Sequence, residues 1–444
     1  EREGNIEEAK KWLNTIVKNF NRSEFMGIAQ KKLRDILEKE QKAEGINTPV
    51  GAKRAFDIAK NYTETGENEK AIAELTKLRR GFVGLREAEF YNEYLYTLAY
   101  AAYTQKHYLE AGIAGEYLSR RVKTSDVVES PEGKVSLMGQ SLYYAGYSYW
   151  EYAGGLKNEG AKGFYQLLGI KLLERMAVVA PSHPKSPNAM LHAAGYYIDI
   201  KDYKNAALNY DRFLSRQTKT EDPAYMDALF NLASCYISLE EYDKASKEYS
   251  KYISLYDKKN HKVITAYDLL GGALIRAEKY SDAINAFSNL RRENFKWVSD
   301  EILNKEYKQV FEDVFYQTGF AYYKMSNFEK AIENYAYFID NFPDNSKSPK
   351  TRLLIAQLYF DKNDHENVVK TLGEFIAKYK DIPDAYKGYI LLIESYLKTD
   401  NQQKALDTEI EMFQAYGKEQ LPKEAYATVA KIMKEANQIE GTRI

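Results

Sequence analysis

Residues 228–253 read ALFNLASCYISLEEYDKASKEYSKYI. Near the middle stands an aromatic residue, two polar positions and an alanine, Tyr242 to Ala245. Ala233 and Tyr236 lie twelve and nine residues before that alanine; Tyr249 and Tyr252 lie four and seven after it. Positions three, four and seven apart share one face of a helix, so the stretch reads as the two amphipathic helices of one helical hairpin. A small residue on the first helix lets the second approach closely.

The same phrase recurs at Tyr108 to Ala111, Tyr203 to Ala206, Tyr280 to Ala283 and Phe328 to Ala331, with weaker copies at Asn68 to Ala71, His365 to Val368 and Gln402 to Ala405. From Ala206 onward the intervals are 39, 38, 48, 37 and 37 residues. Twelve before the alanine the copies carry Ala59, Ala99, Ala194, Gly271, Gly319 and Ala356, with Ile393 in the last. Nine before it stand Tyr62, Tyr197, Tyr322, Tyr359 and Tyr396, with Ala102 and Leu274 as exceptions. A fixed period of this length marks a stack of identical supersecondary units. Ser130-Pro131, Ser186-Pro187, Asp222-Pro223 and Ser348-Pro349 are expected to start helices, each with a capping oxygen before a proline at the first helical position. Asn341–Asn345 and Tyr379–Pro383 are expected to stop them.

These residues resemble the tetratricopeptide repeat, which places small, aromatic and alanine positions in this order with a period of about 34. The resemblance covers most of residues 50–413 and is strongest from Met190 to Phe375. It departs in a period three to six residues longer and in an early position that is aliphatic rather than tryptophan-like. The long joints rich in Pro, Asn and Ser look similar to bacterial cell-envelope members of the family, such as the lipoprotein of the outer-membrane barrel-assembly machinery and the Tol-Pal accessory protein. The resemblance implies an all-α fold, a right-handed superhelical solenoid of helical hairpins with a groove lined by the first helices.

The expected organisation is N-terminal helices over 1–49 with an incomplete first repeat, a solenoid over 50–413, and a capping helix and tail over 414–444, the helix itself spanning about Pro422–Asn437. Gly4–Ala9 reads as the second half of a hairpin whose first helix is absent, so the chain is expected to begin mid-solenoid. The 95 residues between Ala111 and Ala206 hold one irregular unit, helices Val135–Tyr152 and Ala161–Val179 joined by Ala153-Gly154-Gly155. Residues 292–302 lengthen the joint before Phe328.

Composition narrows the function. Among 444 residues, 64 acidic and 63 basic side chains leave a net charge of −1, which offers no overall field for nucleic acid or an anionic membrane. No apolar run reaches the roughly 18–20 residues of a membrane span. Cys235 is the single cysteine, which excludes internal disulfides and a Cys-x-x-Cys pair and leaves the redox compartment open; at its helical position it reads as a small core residue. His107, His183, His192, His261 and His365 are scattered over separate units without metal-ligand spacing. Gly133-Lys134 lacks the upstream glycine of a phosphate loop. Paired carboxylates such as Glu240-Glu241 suit a solvated face. Arg79-Arg80, Arg120-Arg121 and Arg291-Arg292 close second helices, where positive charge complements the dipole. Asn21-Arg22-Ser23 and Asn61-Tyr62-Thr63 match the glycosylation pattern, the latter at a packing position. No enzyme and no cofactor is expected.

By the resemblance, positions fifteen, eleven, eight and seven before the alanine face the groove. They include Phe230 and Ile237; Asp268, Ile275 and Arg276; Tyr316, Phe320, Tyr323 and Lys324; and Phe360. This wall is apolar and aromatic, and such side chains serve as anchors at low entropy cost. The expectation is a non-enzymatic scaffold that presents this groove to extended or helical segments of partner proteins. The resemblance implies a setting in the periplasm or at the outer membrane, in assembly of an envelope complex and in association with a membrane complex. The rival readings are a glycan-binding or enzyme-docking module and a cytoplasmic adaptor.

Overall fold

The structure is a computed structural model and describes residues 6–19, 24–130, 133–256, 262–298, 301–379 and 385–441. Its chain divides into two compact units, Glu1–Cys235 and Tyr236–Ile444. Both are built from helices, and sequential helices pack against each other. The described residues form an all-α repeat fold apart from one two-stranded hairpin.

In the first unit the helices are α1 (Ile6–Asn19), α2 (Glu24–Glu44), α3 (Pro49–Glu64), α4 (Asn68–Gly81), α5 (Tyr91–Thr104), α6 (Tyr108–Ser119), α7 (Leu137–Gly154), α8 (Glu159–Val179), α9 (Ser186–Asp199), α10 (Tyr203–Leu214) and α11 (Pro223–Ser238), whose last three residues fall to the second unit. A 3-10 turn, Val83–Glu87, precedes α5. The second unit holds α12 (Tyr242–Tyr256), α13 (Lys262–Arg276), α14 (Tyr280–Val298), α15 (Glu301–Lys324), α16 (Phe328–Asn341), α17 (Ser348–Asp361), α18 (His365–Tyr379), α19 (Tyr386–Lys398), α20 (Gln402–Gln420) and α21 (Lys423–Gly441).

The recurring alanine is the point of closest packing. Ala71, Ala111, Ala206, Ala245, Ala283 and Ala331, with Val368 and Ala405, are all 0% exposed. Tyr249, Tyr252, Phe287, Leu290, Tyr335 and Phe338, four and seven residues later, are equally covered. The small position twelve before has a steric reason. A Cβ on Gly271 would stand 2.1 Å from the Phe287 ring, and one on Gly319 would stand 2.7 Å from Tyr335. Residues nine before the alanine are mostly half-buried, and cations cover their rings. Lys70, Lys244, Lys330 and Lys404, each directly before its alanine or its equivalent, lie 5.3–5.7 Å from the ring centres of Tyr62, Tyr236, Tyr322 and Tyr396.

In the hairpins that carry the alanine position or its equivalent, the turn is the same in both units. Five residues before the alanine position the backbone is left-handed, at Gly66 (φ 78°), Lys106 (62°), Lys201 (60°), Glu240 (59°), Glu278 (59°), Ser326 (59°), Asn363 (58°) and Asp400 (53°). The following N–H donates to the carbonyl nine before the alanine, as Asp202 to Tyr197, Glu241 to Tyr236 and Asn327 to Tyr322. This is the six-to-one bond that closes a helix at a left-handed residue. The same residue starts the second helix: Asp202 Oδ1 accepts from the Asn205 N–H and Asn327 Oδ1 from the Lys330 N–H.

Several expectations about the joints are corrected. Ser130 does not start a helix; Val127–Ser130 (β1) pairs antiparallel with Gly133–Ser136 (β2), and α7 begins only at Leu137, with Ser136 Oγ accepting from the Gly139 N–H. Ser186 and Ser348 are first helical residues rather than caps, because the helices begin one residue early behind Lys185 and Lys347. Asp222 does cap, its Oδ1 accepting from the Ala224 N–H at 2.8 Å. Ala153 and Gly154 complete α7 instead of linking it to α8. The long interval before Phe328 is carried by the lengths of α14 and α15, 19 and 24 residues. Pro131, Asn21-Arg22-Ser23, His261 and the stop at Asp381–Pro383 lie outside the described residues. At the C-terminal end, Ala425 and Val429 of α21 join the core beside α19, covering its last apolar face.

Candidate functional site

The proposed groove residues sit on first helices. Phe230 belongs to the first unit, and the other nine belong to the second. On α15, Tyr316, Phe320, Tyr323 and Lys324 share one face, spaced by four, three and one. Tyr316 is half-buried, its ring 5.7 Å from both Tyr335 and Phe338 of the following helix, with Lys347 Nζ 5.0 Å above it. Phe320 packs partly into the same cluster, and Lys324 Nζ lies 5.7 Å from its ring. Tyr323, 37% exposed, meets Phe328 at 6.2 Å. Arg276 is exposed over Tyr242, Ile275 and Ile237 are half-buried, and Phe360 packs edge-on against His365 at 5.2 Å. Each of these rings therefore leans largely on its own hairpin.

Asp268, on the same face of α13, is the electrostatic exception. Its Oδ1 is covered and has no hydrogen-bond partner. Burial, reinforced by the nearby Asp313 charge and opposed by Lys347, pushes its carboxyl up to about 7. Lys347 is itself ion-paired with Asp313.

The first unit carries a surface that the sequence reading did not single out. Tyr96, Tyr100 and Tyr103 of α5 meet Tyr143 and Tyr144 of α7 with ring centres 5.3–6.2 Å apart. Tyr143 meets Tyr147 at 4.8 Å, and Tyr147 meets His192 of α9 at 4.9 Å. Trp150 then reaches His192 at 5.0 Å and Tyr196 at 5.6 Å. Adjacent rings are tilted or edge-on, the arrangement that the aromatic quadrupole favours. Seven members, Tyr96, Tyr100, Tyr103, Tyr143, Tyr147, Trp150 and His192, remain half-buried, so a continuous aromatic wall crosses three successive first helices with its outer edges accessible.

A fixed polar layer supports this wall. Gln140 bonds to the Tyr144 hydroxyl and, at 2.8 Å, to His183 Nε2, while His183 Nδ1 accepts from the Lys185 N–H. At the other end the Tyr96 hydroxyl donates to the Glu129 carbonyl of the β-hairpin at 3.4 Å. Burial holds the phenols protonated: Tyr147 is pushed up to about 12, and Tyr103 rises further with the help of its bond to Tyr143. Burial lowers His192, with Glu151 opposing, so its imidazole is neutral at pH 7. The wall thus offers hydroxyl, indole and imidazole edges beside apolar ring surface. Those groups suit the backbone and side chains of a bound segment.

The remaining polar candidates are structural. Cys235 is buried and its thiol is pushed up to about 12, which keeps it from nucleophilic work. Asn61 is buried and donates to the Gln30 carbonyl, so its glycosylation pattern is a packing site. Among the described residues no cluster of three His, Cys, Asp or Glu could hold a metal, and no helix is long and apolar enough to cross a membrane.

Helical hairpins with a repeated Ala position, a small crossing residue and a left-handed turn define an all-α repeat protein. Tetratricopeptide-repeat models match residues 183–259 and 313–345, so these two stretches are tetratricopeptide repeats. No curated protein sequence matches it. Among solved structures it is similar to a tetratricopeptide repeat protein from Parabacteroides merdae, with 16% identity over 64% of this chain and 98% of that one, at a TM-score of 0.34. It is also similar to PilF of Pseudomonas aeruginosa, with 16% identity over 56% and 97% and a TM-score of 0.33. A third is the C-terminal part of a repeat-containing protein from Cytophaga hutchinsonii, with 14% identity over 67% and 98% and a TM-score of 0.36.

Proposed function

We propose that this chain is a non-enzymatic scaffold that holds an extended or helical segment of a partner protein against the first-helix faces of its hairpins. Tetratricopeptide repeats are protein-interaction scaffolds, and a preformed helical stack engages a segment without itself having to fold. The observation that carries the reading is the half-buried ring wall from Tyr96 to His192. Aromatic side chains held by their neighbours supply contact area with little entropy left to lose. In the second unit the proposed contacts are the accessible parts of Ile237, Ile275, Arg276, Tyr316, Phe320, Tyr323, Lys324 and Phe360, whose rings rest on their own hairpins.

The setting we propose is the periplasm or the outer-membrane surface, in assembly of an envelope complex. The long Pro-, Asn- and Ser-bearing joints support it. Fractionation of cells expressing the full-length gene product tests the setting, and recovery in the cytoplasm would remove it.

Affinity purification with crosslinking from the native cell should recover partner proteins on the wild-type chain. Tyr103→Ala with Tyr147→Ala should lose them while the helical circular-dichroism signal is kept, and Phe320→Ala with Tyr323→Ala should lose those held by the second unit. Unchanged recovery with both pairs would overturn the scaffold reading. Saturable binding on a glycan array, lost in the same variants, would replace it with a carbohydrate-binding one.

A further inference from the structure

Helix α5 is aromatic on two faces. Tyr96, Tyr100 and Tyr103 build the ring wall, whereas Tyr91, Tyr94, Leu95 and Leu98 line a cleft of about 720 Å³ on the other side, between α4, α5, α6 and α7. We propose that this cleft is a second docking surface, for a protein segment in which acidic residues flank a large apolar side chain.

The apolar part comes from the packing. Tyr94, Leu95 and Leu98 form a nearly covered floor. Above them, Ile113 and Tyr117 are 55% and 41% exposed, four residues apart on α6 and thus side by side at the lip. One large apolar residue seated between floor and lip would take both out of water.

The charge is equally directional. Among the residues lining the cleft, Arg79 of α4, Arg86 of the 3-10 turn and Lys106 of the α5–α6 turn face a single carboxylate, Glu110. Glu110 engages Arg79 at 3.6 Å. Arg86 and Lys106 are exposed and make no described ion pair or hydrogen bond through their side chains. Lys106 is held in place by its left-handed backbone and the N–H bond to the Tyr103 carbonyl. Just outside the cleft, Arg121 lies 5.0 Å from the Tyr91 ring and 5.8 Å from that of Tyr117. In a chain of net charge −1 this positive excess is local, and it complements acidic side chains placed on either side of the apolar anchor.

The test is a random twelve-residue peptide display library selected on the full chain and, in parallel, on an Arg86→Glu, Lys106→Glu variant. Peptides enriched by the wild type alone should carry Asp or Glu around a Leu, Ile, Phe or Trp. By fluorescence anisotropy such a peptide should bind at least tenfold more weakly to the double variant and to Ile113→Asp, and its affinity should fall with added salt. Replacing its acids with lysine should restore binding to the double variant. Tyr147→Ala should bind it as the parent does; a loss there would assign the peptide to the ring wall and overturn the proposal. No variant-dependent enrichment, enrichment of basic peptides, or loss in the double variant only of self-association, of anionic-vesicle binding or of oligonucleotide binding would each overturn it as well. The variants change exposed side chains, and matched melting curves establish that they fold.

Discussion

The first-helix faces of the two units use the same residue types to different ends. In the first unit Tyr103, Tyr143, Tyr147, His192 and Trp150 touch rings on neighbouring first helices, so one surface runs over several hairpins. In the second, Tyr316 packs on Tyr335 and Phe338 of its own hairpin, Tyr323 on Phe328, and Phe360 on His365. An aromatic residue at a groove position is therefore not one kind of feature. Whether it becomes binding surface or hairpin core depends on which helix supplies the ring beside it.

The largest effect expected from this contrast is on stability. Tyr316→Ala should destabilise the chain by about 3 kcal/mol in urea unfolding followed by circular dichroism, since it opens a cavity between two fully covered rings. Tyr147→Ala, equally half-buried but resting on the half-exposed rings of Tyr143 and His192, should cost only about 1 kcal/mol and show its main effect in partner retention. Equal losses would erase the distinction between the two faces.

A second difference is acid-base behaviour. The folded Asp268 carboxyl titrates at about 7, whereas an unfolded one titrates near 3.9. The folded chain keeps this proton longer, so the contribution to stability falls as pH rises from about 4 to about 7 and levels off above. A drop of about 2 kcal/mol over that window is a reasonable scale after allowing for partial exposure. Asp268→Asn should flatten the profile and make the chain more stable than wild type at pH 8; an unchanged profile would show that Asp268 ionises freely.

The smallest effect should be common to both units, because their turns share one geometry. Lys201→Gly and Glu240→Gly each place glycine where the backbone is already left-handed, and each should raise stability by up to about 1 kcal/mol. A gain in only one unit would mean that the turns differ under load.

Much of the fold was legible because one tight contact repeats. An alanine with no exposed surface admits few substitutes, so the crossing point of each hairpin recurs in the sequence and carries the small and large positions with it. The left-handed turn was not legible, because in all but the Gly66 hairpin Lys, Glu, Ser, Asn or Asp holds it where glycine would have announced it. The β-hairpin was hidden by Ser130-Pro131, which looks like a helix start; the signal against it was Val127-Val128 and Val135 flanking Gly133, whose φ is 99°. The α5 part of the ring wall was within reach, since Tyr96, Tyr100 and Tyr103 stand fifteen, eleven and eight residues before Ala111, the offsets of the groove positions. The α7 part was not, because α8 begins without the aromatic-to-alanine phrase. The outer cleft joins four helices and a 3-10 turn, a neighbourhood that no single period encodes.

The turn also limits how such a chain can change in length. Its six-to-one bond and shared capping residue tie the end of one helix to the start of the next at a fixed residue count, so an insertion there would have to break both at once. Tolerance for added residues is confined to the connections between hairpins, where this chain already carries a β-hairpin after α6 and a run of irregular residues between α10 and α11. A reporter peptide or affinity tag placed at 216–221 should leave the stack intact, whereas the same tag between Ile200 and Asp202 should pull a hairpin apart.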